Sequence, residues 1–167
     1  MGDDDGRRDR AGTDQAEAVT SALLTASRLL VGLSLRSLAA VDPPLTLPQF
    51  RALVVLAERG PMKLASLADL LGVNASTALR MVERLRAADV VSRRTNPEVR
   101  REVILELTAN GRRVVGEGLA ARRGEIAAIV ARMPARDRSG LVAGLRAFGE
   151  AGGERPFDPG DGIAETP

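Results

Sequence analysis

The chain has 167 residues, a formal net charge of +2, and no cysteine, histidine, tyrosine or tryptophan. Without cysteine or histidine it lacks the usual zinc ligands, the commonest nucleophile and general base and all thiol redox chemistry, so neither an enzyme nor a cofactor is expected. Its longest apolar run, LLVGLSL at 29–35, is shorter than the roughly 20 residues of a membrane span, and the N-terminal MGDDDGRRDR has no apolar signal-peptide region, so the reading is cytoplasmic, with no membrane partner.

Charge is distributed unevenly. Residues 63–101 carry eight basic and four acidic side chains, residues 1–17 three basic and six acidic, and residues 150–167 one basic and five acidic. The middle is positive and both ends are negative. A local positive patch steers a polyanion better than a diffuse net charge does.

Residues 1–13 have almost nothing to bury and read as a disordered acidic tail. From Asp14, the residues Val19, Ala22, Leu23, Ala26, Leu29, Leu30 and Leu33 recur at helical spacing, which predicts a long amphipathic helix ending before Pro43 and Pro44. Thr46 to Gln49 has the T-x-x-Q form of a capping box with proline in the first turn. A second helix follows, with Phe50, Leu53, Val54 and Ala57 as its core stripe and Gly60-Pro61 as its end.

The segment KLASLADLLGVNASTALRMVERLRAAD, residues 63–89, reads as two short helices joined by a tight turn. Leu64, Leu67, Ala68 and Leu71 share one face, Gly72 supplies the left-handed stop, and Asn74 caps the next helix. On that helix Ala78, Val82 and Leu85 form the buried stripe, while Ser76, Arg80 and Arg84 lie four apart on another face beside Thr77. Small hydroxyls near a helix start, with an arginine one turn later, suit a helix whose first turns enter the major groove. Taken alone, Arg80 and Arg84 read equally well as solvated arginines, unpaired or paired with Glu83.

Beyond it, Val103, Leu105 and Leu107 alternate with Glu102, Ile104 and Glu106, mostly the period-2 pattern of a strand, and Val90 to Arg94 supplies a partner strand across the turn cluster Thr95, Asn96, Pro97 and Glu98. A β-hairpin is predicted, flanked by Arg93, Arg94, Arg100 and Arg101. Thr108 caps a helix running to about Met133, with Val115, Leu119, Ile126, Ile129 and Met133 near a heptad seam that Arg122 interrupts. Gly111, Gly116, Gly118 and Gly124 weaken it by roughly 1 kcal/mol each relative to alanine. After Pro134, Leu141, Val142, Leu145 and Phe148 mark a last amphipathic helix, and residues 151–167 read as a flexible acidic tail.

This order of elements resembles the multiple antibiotic resistance regulator (MarR) family of winged-helix repressors. The resemblance covers about residues 15–150 and is carried by LTLPQFRALVVLAERG at 45–60, LASLADLLGVNASTALRMVERLRAADVVSR at 64–93 and NPEVRREVILELTANG at 96–111. It implies a mainly α fold with a small β-hairpin. A winged helix-turn-helix domain at 45–108 would be flanked by dimerisation helices at 14–42 and 109–150. Function would follow as a transcriptional repressor, a homodimer placing two recognition helices in successive major grooves of a pseudo-palindromic operator, half-sites roughly 34 Å apart.

Carried over residue by residue, the resemblance assigns Ser76, Thr77 and Arg80 to base edges, behind the Asn74 cap. It assigns Arg84 and Lys63 to phosphate, and Arg93, Arg94, Arg100 and Arg101 to the wing. Where the family's wing usually has two aspartates, this chain has Asn96 and Val99, with Glu98, between these two, as the candidate substitute. Family members respond to small aromatic anions, to thiol oxidation or to metals. The composition leaves the first, in an apolar cleft between the dimer helices and the winged domain, with Arg28 and Arg51 as candidate counter-ions. The alternative is a winged helix that meets an acidic protein partner, which predicts no counterion-linked DNA affinity.

Overall fold

The computed structural model of the chain describes residues 3–39, 41–95 and 103–153, with side chains in the first helix from residue 12 onward. The described elements are α1 (Asp3–Ala39), α2 (Leu47–Arg59), β1 (Met62–Lys63), α3 (Leu64–Leu71), α4 (Ala75–Ala87), β2 (Val91–Thr95), β3 (Val103–Leu107), α5 (Ala109–Arg132) and α6 (Ala135–Ala151). The expected mainly helical winged architecture is therefore present. The turn cluster beyond Thr95, together with Arg100 and Arg101, lies outside the described residues, as does the acidic tail from residue 154.

Helix α1 starts at Asp3, well before the expected Asp14. Residues 3–13, read above as a disordered tail, are thus continuous with the helix; no proline occurs before Pro43, so nothing in that stretch forces a break. Leu33 and Leu38 are buried, and the buried Ser34 and Ser37 satisfy their hydroxyls on the carbonyls of Leu30 and Ser34. Val19, Leu24, Leu29, Leu30, Val31 and Leu35 of the same helix are exposed. By length and composition alone, Gly12–Ala39 would also pass for a membrane span, which counting uninterrupted apolar residues does not detect.

The capping box forms as predicted. The Thr46 N–H donates to Gln49 Oε1 at 2.8 Å, and the Gln49 N–H donates to Thr46 Oγ1 at 3.4 Å. The helix that follows buries Phe50, Ala52, Leu53 and Leu56 and ends at Gly60, with φ 75°.

The sheet has the order β1-β3-β2, antiparallel throughout. In the hairpin Val91 faces Leu107 and Thr95 faces Val103, while β1 adds only Met62 opposite Leu105 and Lys63 opposite Ile104. The third strand was not predicted; two residues are too few to show an alternation. Leu105 and Leu107 turn inward, where they join Leu53, Leu56, Leu67, Val82, Leu85, Val90, Val114 and Val115 in one core. Each such side chain contributes roughly 1.5–3 kcal/mol by burial.

Two of the glycines that make α5 a poor helix on paper are required by packing. A Cβ on Gly111 would stand 2.0 Å from the carbonyl oxygen of Val90, and one on Gly118 would meet the Phe50 ring at 2.6 Å. Gly116 and Gly124 have nothing within 4 Å. Thr108 caps the helix, its hydroxyl accepting from the Gly111 N–H at 2.9 Å. The final helix, α6, buries none of its residues.

These distances predict opposite outcomes for two like substitutions. Gly111→Ala forces the first turn of α5 off a backbone carbonyl and should cost more than about 2 kcal/mol. Gly116→Ala enters open space and should stabilise the helix by up to about 1 kcal/mol. Denaturant unfolding at one fixed chain concentration measures both; equal effects would rule out the close approach as the reason for glycine at 111.

Candidate nucleic-acid interface

The helix-turn-helix is built by local chemistry that the sequence announces. Gly72 ends α3 in the left-handed region, φ 67° and ψ 33°, and the Val73 N–H then reaches back to the Ala68 carbonyl at 3.0 Å. Asn74 caps α4 through Oδ1, which accepts from the Thr77 N–H at 2.8 Å. The inner face of α4 is wholly buried at Ala78, Val82 and Leu85, so the outer face has a determined orientation.

That outer face carries Ser76, Arg80 and Arg84, all exposed, with Thr77 half-buried beside them. The Ser76 hydroxyl donates to Asn74 Oδ1 at 2.8 Å, which leaves the Ser76 oxygen as an acceptor. Arg80 Nη2 donates to Thr77 Oγ1 at 3.4 Å. Among the described residues neither Arg80 nor Arg84 has a carboxylate partner. The sequence left Glu83 as a possible partner for them, but Glu83 lies elsewhere: it accepts from Arg86 at 3.1 Å and from Arg93 at 2.7 Å.

The hairpin arginines differ from those of α4. Arg93 bridges from β2 to Glu83 on α4, and Arg94 pairs across the hairpin with Glu106 at 3.1 Å. Both contacts are solvent-accessible ion pairs, worth little in stability, yet they set where the guanidinium groups rest. Lys63 is exposed at the end of β1, one residue before α3. Arg100 and Arg101 fall outside the described residues. The structure thus brings Asn74, Ser76, Thr77, Arg80 and Arg84 onto one helix face and lays Arg93 against that helix.

Two further features tie α4 to the remaining fold. Asp89, just past its end, adopts φ 54°, a conformation that asparagine and aspartate reach more readily than most residues. The Asp89 carbonyl accepts from the Thr108 hydroxyl at 2.7 Å, so one threonine both caps α5 and holds the exit of α4. No sequence pattern marks this bond, because its two ends are nineteen residues apart.

A second site lies on the other side of α2. A cleft of about 800 Å3 is bounded by α1, α2, α5 and α6, with Phe50, Phe148, Leu30 and Leu119 among its apolar walls and Arg51 and Arg122 among its lining residues. Among the described residues, the Nε of Arg122 is buried without a hydrogen-bond partner. Of the two counter-ions expected from the sequence, Arg51 lines the cleft and Arg28 does not. Arg122 was visible only as a break in a heptad seam.

Comparison with known proteins agrees with this architecture. The MarR family model matches residues 45–103. RV1404 from Mycobacterium tuberculosis, known as a crystal structure, is 52% identical, with 83% of this chain and 94% of that one covered at a TM-score of 0.77. A MarR family protein from Bacillus stearothermophilus has the same fold at 21% identity, with a TM-score of 0.76 over 85% of this chain and 98% of its own. The HTH-type transcriptional repressor NicR of Pseudomonas putida is 42% identical over 72 residues, which is 43% of this chain and 46% of NicR. The match therefore spans about half the length of that curated relative. With the helix-turn-helix, the hairpin and the flanking helices in place, the chain belongs to the MarR family of transcriptional regulators.

Proposed function

We propose that the protein is a DNA-binding transcriptional repressor that acts in the cytoplasm as a homodimer on a pseudo-palindromic operator. The observation that carries this reading is the outer face of α4, where Ser76, Thr77, Arg80 and Arg84 stand together on a helix whose opposite face is buried, with no carboxylate beside either arginine among the described residues. In this reading the first turns of α4 enter the major groove and Ser76, Thr77 and Arg80 meet base edges. Arg84 and Lys63 bind phosphate. The hairpin is the wing, and Arg93, Arg94, Arg100 and Arg101 work on the minor groove or its phosphates. NicR, a relative over 72 residues, is named a repressor.

The dimer is supported by what one chain leaves uncovered. Leu24 is 64% exposed on α1 and Phe148 57% exposed on α6, each among several exposed apolar neighbours. Surface of that extent ordinarily marks an interface. A second copy, with its own α1 and α6, is the occupant consistent with the family.

The cleft is the site for a releasing ligand. Aromatic walls at Phe50 and Phe148, with the unpartnered Arg122 Nε and nearby Arg51, fit a small aromatic anion. Apolar walls with a few placed polar groups are the usual make-up of small-molecule sites.

Four outcomes follow. Affinity for duplex DNA should fall with salt, log K against log[salt] dropping by about 0.9 per phosphate neutralised, and Arg80→Ala should cost roughly 1–3 kcal/mol at the preferred site while relaxing selectivity there. Fluorescence anisotropy on random and on upstream DNA reads both, and salt-independent, unselective binding would favour a protein-interaction role instead. Leu24→Glu should shift sedimentation from dimer to monomer; an unchanged dimer would place the interface elsewhere. Arg122→Met should weaken binding of benzoate-class anions by about tenfold or more, and calorimetry showing equal affinity would remove Arg122 as the counter-ion.

A further inference from the structure

Between the start of α2 and the outer face of α4 lies a notch of about 140 Å3 walled by Thr46, Gln49, Thr77, Arg80, Met81 and Arg84. Its chemistry is one-sided. Among the described residues, both charged groups in the wall are guanidinium cations and no carboxylate lines it. The capping box decides how Gln49 presents its amide: Oε1 accepts from both the Thr46 N–H at 2.8 Å and the Thr46 hydroxyl at 2.9 Å. Because both neighbours donate, the oxygen must be the atom turned toward Thr46, and the amide nitrogen keeps its two N–H donors for another partner. The notch thus holds hydrogen-bond donors from two separate elements, Gln49 and the two arginines, beside the Met81 side chain.

Its position along α4 selects the ligand. Arg84 lies eight residues beyond Ser76, about 12 Å further along the helix axis, and the major groove is itself about 12 Å wide. A helix that puts its first turn on base edges therefore carries Arg84 out to the groove's rim, where the sugar-phosphate strand passes. Phosphate oxygens accept hydrogen bonds and do not donate them, which matches a wall of donors.

We propose that this notch seats one backbone phosphate of the bound duplex, held by the Gln49 amide from α2 and the Arg84 guanidinium from α4, an assignment that rests on the DNA-binding reading above. Gln49 thereby becomes a positioning residue: it gains no sequence information, but it fixes how far along the duplex α4 is seated before Ser76, Thr77 and Arg80 meet the bases. The same side chain that closes the capping box then registers the recognition helix on its site.

Gln49→Glu separates the two roles. A glutamate keeps the oxygen that Thr46 needs, since T-x-x-E is an equally good capping box, and replaces the free N–H donors with a carboxylate oxygen facing the phosphate. Full-length protein and variant are titrated against the preferred duplex and against the same duplex carrying single neutral methylphosphonate linkages, scanned along each strand, with thermal unfolding measured in parallel. The expected result is an affinity loss of about tenfold or more on the native duplex, an unchanged unfolding midpoint, and near-complete relief of the loss at one linkage per half-site. Arg84→Gln, at an exposed side chain, should show its loss relieved at that same linkage. Native-duplex affinity within about twofold of the parent, a loss relieved at no linkage, or Arg84 mapping to a different one each overturns the notch. Parent protein with no salt-dependent duplex binding overturns the DNA-binding reading, and the notch with it.

Discussion

The first turn of α5 lies so close to the turn after α4 that a side chain cannot fit between them, and the orientation of the whole winged domain depends on that contact. Gly111 packs on the Val90 carbonyl, Thr108 takes the Asp89 carbonyl with its hydroxyl, and Val114 and Val115 continue into the core that α2, α3 and α4 share. Backbone against backbone leaves little room for tilt. The long helix α5 and the helix-turn-helix are therefore packed together at this end, and the contact with α5 helps set the direction of the outer face of α4.

Within that frame the arginines divide by partner. Arg86 and Arg93 converge on Glu83, and Arg94 rests on Glu106, so one pair, Arg93–Glu83, ties the hairpin to α4 while the other two stay within α4 and within the hairpin. Arg80 and Arg84 are left facing solvent beside Thr77. A surface ion pair contributes under about 1 kcal/mol to folding, so these pairs are poor stabilisers, but they orient side chains that would otherwise sample many rotamers. Among the described residues, the arginines of α4 that have no carboxylate partner thus lie on its outer face, at Arg80 and Arg84.

The other half of the molecule is bounded by what it leaves uncovered. Helix α6 buries none of its side chains, and most apolar residues of α1 are exposed. Arg113 holds the α1–α2 connection by donating to the Asp42 carbonyl at 3.0 Å while pairing with Glu117, and Arg36 meets Glu125 at 3.1 Å. The cleft beside α2 shares Phe50 with Gly118 of α5, where ring and backbone are in close contact. Since α2 also contributes Gln49 to the notch on its far side, one helix borders both the cleft and the proposed DNA face.

The sequence by itself determined the local devices, because each is encoded within a few neighbouring residues: the Thr46–Gln49 box, the Gly72 stop, the Asn74 cap, the buried stripe of α4 and the Thr108 cap. It determined the family too, through motifs in order. It could not show that Gly111 and Gly118 are required, since their contacts with Val90 and Phe50 cross 21 and 68 residues of chain, nor that two-residue β1 completes the sheet. It counted hairpin arginines without showing that Glu83 and Glu106 hold two of them, and it named Arg51 for the cleft but left Arg122 as an interruption. It ended the helical part of the N-terminus at Asp14, where composition changes, although the backbone meets no obstacle before Pro43. Short-range hydrogen-bonding and periodicity are written along the chain, whereas close approach, ion pairing and the alignment of donors around a notch exist only once distant segments are packed together.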